Sequence, residues 1–151
     1  MRRVVMAMLV IVSVLSAAAC AMAPSPVLPA NVKWVEPPTL PGAKLAVLDG
    51  DPTKPGLTTY RVSFPANSKV AAHWHPVSEN VTVVSGTVYL GLGDKLDPAK
   101  GTAYPAGSFF TVPANTRHYA WTGADEAIIQ VHLVGPTGMT FVNPADDPRK
   151  K

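Results

Sequence analysis

Residues 57–64, Leu-Thr-Thr-Tyr-Arg-Val-Ser-Phe, put Tyr60, Val62 and Phe64 on one side of an extended chain and Thr59, Arg61 and Ser63 on the other. That period of two belongs to a half-buried strand. The pattern recurs: "AKLAVLDG", "VAAHWH", "NVTVVSGTVYLGLGD", "SFFTVPANTRHYAW" and "EAIIQVHLVG" are rich in β-branched and aromatic residues, which favour pleated surfaces. Turn formers separate them. "PANSKV" and Pro113-Ala114-Asn115 read as turns, Ser85–Gly86 as a two-residue hairpin, and "KLDPAKGTAYPAG" as a loop. No stretch carries a clean helical stripe, and no internal repeat is present. Roughly seven short strands in roughly 100 residues predict an all-β fold: a sandwich or a single small β-barrel.

The flanks have a different character. Arg2 and Arg3 precede an apolar run from Val4 to Leu15, followed by small residues up to Ala23. This is the layout of a secretory signal, and the run is shorter than the ~20 residues of a spanning helix. Residues 1–21 are therefore the expected signal peptide, with cleavage after Ala21 and export to the periplasm or the exterior. Cys20, after "SAAA", offers a second route in which it is lipidated and the protein is membrane-anchored. Ala17 stands where such signals carry a large aliphatic residue, which favours the free form. Residues 22–42 hold Pro24, Pro26, Pro29, Pro37, Pro38 and Pro41 and read as an extended linker, expected as a flexible arm with no further role, the alternative being that its last part is laid along the barrel. The barrel is expected over 43–143 and a polar tail over 144–151.

Without Arg2 and Arg3 the balance of 13 basic to 10 acidic side chains becomes 11 to 10, so a net +3 falls to +1. A nucleic-acid partner is excluded on this basis, since no basic stripe with interleaved aromatics exists. Cys20 is the only cysteine, so the mature domain has neither a disulfide framework nor a thiolate metal site.

The chemistry concentrates in "AAHWHPVSEN", residues 71–80. In a strand, His73 and His75 project from one face with Trp74 opposite. A bend at Pro76–Ser78 would return Glu79 to that face. This spacing suits two imidazoles and a carboxylate on one ion. It equally suits two strand-end histidines that bond to solvent and to Glu79.

The run His73, His75, Glu79, Gly86 and the later run Gly107, Pro113, Asn115, His118 resemble the two conserved motifs of the cupin superfamily, in the expected order. Asn115 and Asn67 stand where the motifs have glycine, and asparagine is the next best residue for a positive φ. Thr122 stands where the second motif often has asparagine. The resemblance spans about residues 43–135. It implies a jelly-roll barrel with a metal inside one end, held by His73, His75, Glu79 and His118.

Three imidazoles and one carboxylate form a borderline-hard donor set without sulfur. One divalent transition metal is expected, Mn²⁺, Fe²⁺, Ni²⁺ or Cu²⁺ before Zn²⁺, because a tetrahedral Zn²⁺ would have no open position. Candidates to steady the ligands' free ring nitrogens are Ser78, Asn80, Asn115 and Thr116. His132 has two readings. If Ile128, Gln130, His132 and Val134 face inward, Gln130 and His132 could form a catalytic proton-transfer pair; if Ile129, Val131 and Leu133 do, His132 lies on the outer sheet, as burial preference favours. Arg61 is similarly either a grip for a carboxylate substrate or a surface residue. Tyr60, Phe64, Tyr89, Phe109, Phe110, Tyr119 and Trp121 are expected in the core or an interface.

The expected function is a metal-dependent, dioxygenase-like oxidoreductase acting on a small oxygenated molecule. A non-catalytic, metal-dependent binding or sensing module is the alternative. A homodimer that covers outer aromatics and strand edges is the expected assembly.

Overall fold

Residues 25–151 are described by a computed structural model, and the expected signal segment with Arg2, Arg3, Cys20 and Pro24 lies outside the described residues. The strands follow as β1 (Lys44–Asp49), β2 (Gly56–Phe64), β3 (Lys69–Trp74), β4 (Glu79–Ser85), β5 (Thr87–Leu92), β6 (Thr102–Pro105), β7 (Phe109–Val112), β8 (His118–Thr122), β9 (Ala127–Gly135) and β10 (Thr140–Phe141). They form two five-stranded antiparallel sheets, one ordered β1-β2-β9-β4-β7 and the other β10-β3-β8-β5-β6. The described helical pieces are 3-10 turns at Pro29–Asn31, Pro98–Lys100, Pro144–Asp146 and Pro148–Lys150, each opened by proline, whose fixed φ suits a first helical position.

The alternation in residues 57–64 is realised. Thr58, Tyr60, Val62 and Phe64 of β2 are buried, and the residues between them are half-buried. Beside them in the same sheet, Val131 and Leu133 of β9 and Val81 of β4 extend the apolar row, and Val70 of β3 joins the cluster from the other sheet. Each fully buried Val, Leu or Phe side chain contributes about 1.5–3 kcal/mol, so the sheets are held face to face mainly by these inward rows.

Two sequence expectations are corrected. Ser85–Gly86 is not a hairpin, because β4 and β5 lie in different sheets. Gly86 has φ 69°, and a Cβ there would sit 2.1 Å from the Glu126 carbonyl oxygen, so the glycine serves a sheet-to-sheet crossing against a neighbouring loop. The loop reading of residues 95–107 missed β6, an edge strand paired only with β5; its flanking Gly and Pro obscured four residues of pairing. β10, only two residues long, pairs with the metal-motif strand β3.

Asn67 and Asn115 have φ 58° and 62°, the left-handed conformation anticipated for asparagine in place of glycine. Both sit where the chain passes from one sheet to the other. The end of the proline-rich arm does lie along the barrel: Val35 and Leu45 exchange backbone hydrogen bonds of 2.9 and 2.7 Å. The tail folds back as well, and its Asp147 is buried. Among the described residues no helix is long and apolar enough to cross a membrane.

Candidate metal centre

A β-bulge sets up the site. Opposite β8, Val70 pairs with Ala120 and His73 with His118, so β3 uses one residue more than its partner. Strict alternation would turn Val70, Ala72 and Trp74 inward together. The extra residue shifts the phase, and Val70, His73 and His75 all line the cavity between the sheets. Bulges re-aim side chains in this way next to functional sites. His75 lies just past β3, a bend at Pro76–Val77 reverses the chain, and Glu79 opens β4.

His73, His75 and His118 converge, with donor atoms that all lie within 4.8 Å of one another. The His73 and His118 rings are 4.2 Å apart at their centroids, in keeping with their cross-strand pairing. Glu79 is not in that mutual set but is its immediate neighbour, with Oε2 3.5 Å from His75 Nε2. The phenol of Tyr60 donates to the other oxygen, Oε1, at 2.8 Å. Sequence reasoning placed Tyr60 only among the core aromatics. Its position on the inward row of β2 was the available signal.

Each histidine has its Nδ1 on a backbone carbonyl: His73 on Ala71 (2.7 Å), His75 on Gly138 (2.8 Å) and His118 on Thr116 (2.9 Å). A carbonyl only accepts, so Nδ1 carries the proton and Nε2 keeps its lone pair. The side chains expected in this role act elsewhere: Ser78 Oγ accepts from Ala114 N–H and Asn80 Oδ1 from Thr111. Asn115 contributes its backbone N–H to the His75 carbonyl. Thr116 does hold His118, but through its carbonyl, which any residue would supply.

Burial holds the His73 imidazole well below its ordinary pKa, with His118 and His75 adding to the shift. His118 is lowered too, again chiefly by burial. Burial pushes the Tyr60 phenol well up, and the charge of Glu79 reinforces it. The centre therefore offers the unprotonated imidazoles of His73 and His118 and the neutral phenol of Tyr60 near neutral pH. Metal binding needs such neutral donors, so these residues fit a divalent ion.

The cavity around them measures about 290 Å³, near the lower end of the roughly 300–1,000 Å³ of small-molecule sites. Its walls are chiefly apolar, with Leu40, Val62, Leu90, Phe110, Ile129 and Met139 among them.

His132 and Arg61 are not part of it. On β9, Val131 and Leu133 are buried and Ile129 faces the cavity, which puts Gln130 and His132 on the outer face. There Thr59 Oγ1 lies 2.9 Å from His132 Nδ1, Gln130 Nε2 lies 3.1 Å from His132 Nε2, and Arg61 Nε donates to Gln130 Oε1 at 3.0 Å. The inward reading of His132 as a catalytic residue is thus corrected: the more apolar row took the interior. The permanent cation that does line the cavity, Arg149, was missed. It comes from the polar tail, and no motif marks it.

Residues 60–134 match a family described as "Cupin domain". Among solved structures the chain is similar to the polyketide cyclase RemF from Streptomyces resistomycificus, at 18% identity and TM-score 0.69, with 85% of this chain and 92% of that one covered. It is similar to the DMSP lyase DddQ from Ruegeria pomeroyi at 17% identity and TM-score 0.60, covering 74% and 61%. It is also similar to an oxalate oxidase at 23% identity and TM-score 0.53, covering 70% and 58%. No curated protein matches the sequence.

Proposed function

The chain belongs to the cupin superfamily, and on that premise we propose that it is an exported, metal-dependent oxidoreductase of dioxygenase-like type acting on a small oxygenated molecule. One observation carries this reading: three imidazoles with carbonyl-fixed Nδ1–H groups converge beside a buried carboxylate inside an apolar cavity. A divalent transition ion held by His73, His75 and His118, with Glu79 alongside, would supply Lewis-acid or redox chemistry there.

The chain's own residues do the rest. The Ala71, Gly138 and Thr116 carbonyls fix the tautomer and ring orientation of the histidines. Tyr60 holds Oε1 of Glu79 and so orients the carboxylate. The apolar walls exclude water and press a ligand toward the histidines. Fold alone does not choose the reaction, as a cyclase, a lyase and an oxidase of similar fold illustrate.

The composition of the cavity supports redox or Lewis-acid chemistry rather than a separate acid–base pair. Its titratable lining residues are the three histidines, Glu79, Tyr60 and Arg149, and each already has a partner or a place in the donor set. The same observation favours, as a second reading, a metal-dependent binding or sensing module. Oxygen uptake by the metal-loaded chain across a panel of small oxygenated compounds distinguishes the two. The enzymatic reading expects turnover with at least one compound and a perturbed metal spectrum; a perturbed spectrum without turnover favours the binding module. The absence of both turnover and a perturbed spectrum would contradict both readings. Periplasmic or secreted localisation is tested by cell fractionation, and a homodimer by the solution mass.

A further inference from the structure

We propose that Arg149 and Thr137 form an anchoring subsite at the cavity mouth for the carboxylate of a small monoanion with an apolar body. This rests on the small-molecule reading of the same cavity and names its substrate class. Among the described residues that line the cavity, only Arg149 is a permanent cation. Arg61, the sequence candidate for that task, is committed to Gln130 on the outer face.

The guanidinium is held in place rather than left free. Nε donates to Asp147 Oδ1 and Nη2 to Oδ2, both at 2.8 Å, and Nη2 also reaches the Met139 carbonyl at 3.2 Å. None of these bonds uses Nη1. Asp147 is itself buried, so the pair is anchored from below, and the arginine is oriented before a ligand arrives. Such preorganisation lowers the ordering cost of binding.

Thr137 supplies the second observation. Its Oγ1 is buried and has no hydrogen-bond partner among the described residues, and the residue lines the same cavity. A buried hydroxyl left unpaired carries a desolvation cost, which an incoming oxygen would remove. Thr137 also lies two residues from Met139, whose carbonyl ties this segment to Arg149. The two donors thus belong to one structural unit at the mouth, and apart from Thr39, Tyr60 and the metal-centre residues the rest of the lining is apolar. Asp147 already offsets the single positive charge of the guanidinium, so the subsite offers directed N–H donors from Nη1 rather than excess positive charge, which suits a planar carboxylate better than a phosphate dianion.

An NMR titration of the metal-free full chain tests this with butanoate, butanamide and inorganic phosphate. Butanoate is expected to shift the amide signals of Thr137, Met139 and Arg149. It should bind about tenfold or more tightly than butanamide, as a hydrogen bond to a charged group implies, and phosphate should not compete. R149Q should abolish the preference for butanoate. T137V should weaken butanoate severalfold, and R61Q should leave it unchanged. Equal binding of butanoate and butanamide to the unaltered chain would overturn the proposal, as would a preference that survives R149Q or competition by phosphate. If R149Q does not fold, the comparison on the unaltered chain and T137V decides. Because the titration needs no metal, failure of the metal reading would appear separately, as absence of metal in the purified chain.

Discussion

His118 and His132 lie on strands that flank the same cavity from opposite sheets, yet they are built for different work. His118 faces inward, is almost fully buried, gives its Nδ1 proton to a backbone carbonyl, and is held below its ordinary pKa by burial. His132 is half-buried on the outer face and bonds to side chains, Thr59 and Gln130. A carbonyl fixes one tautomer and leaves one lone pair. Gln130 Oε1 already accepts from Arg61, so its Nε2 donates to His132 Nε2 and occupies the lone pair that a ligand would need. What makes an imidazole a ligand here is thus the strand face and a lone pair left free, not the residue type.

Four perturbations break or sharpen this contrast. The largest is metal addition. An ion bound to the folded chain at about 100 times its Kd should raise stability by about 2.7 kcal/mol. Calorimetry should show this for the unaltered chain and for His132→Ala but not for His118→Ala.

Next is Tyr60→Phe, which leaves Glu79 Oε1 buried without its donor. A loss of about 1–3 kcal/mol is expected by denaturant titration, with metal affinity down about 10–100-fold, as for other groups that orient ligands. His132→Ala has no such effect on affinity.

The third is pH. The folded chain resists protonation of His73 and His118, whereas unfolded histidine titrates near ~6.5. Between those values the unfolded state binds more protons, so stability of the metal-free protein is full above about 6.5 and falls as the pH drops below it. Replacing His73 and His118 with glutamine should flatten that slope in acid denaturation curves.

The smallest effect is expected from Thr59→Val. It removes one half-buried hydrogen bond on the outer face, worth about 0.5–1.5 kcal/mol, and should leave metal content as it was.

The sequence was most informative where period and chemistry coincide. The alternation in β2 and the pair of histidine motifs foretold the sheet faces and the donors that meet in the cavity. The i, i+2 spacing correctly paired His73 with His75, but which face they share depends on the bulge before His73, and a bulge is a matter of register between strands that are far apart in sequence. The carbonyls that hold the histidines carry no residue signature, so Ser78 and Asn80 were natural but mistaken choices. Arg149 escaped notice because the folding back of the tail is a tertiary event. Gly86 was legible as a turn, whereas the crossing between sheets that it makes was not.

The central claim is that the inward histidines hold one metal ion and the outward one does not. Metal content per chain, measured on exported protein of the unaltered sequence, His118→Ala and His132→Ala, tests it directly. The account predicts one transition-metal ion per chain in the first and third and almost none in the second. Equal content in all three would contradict it.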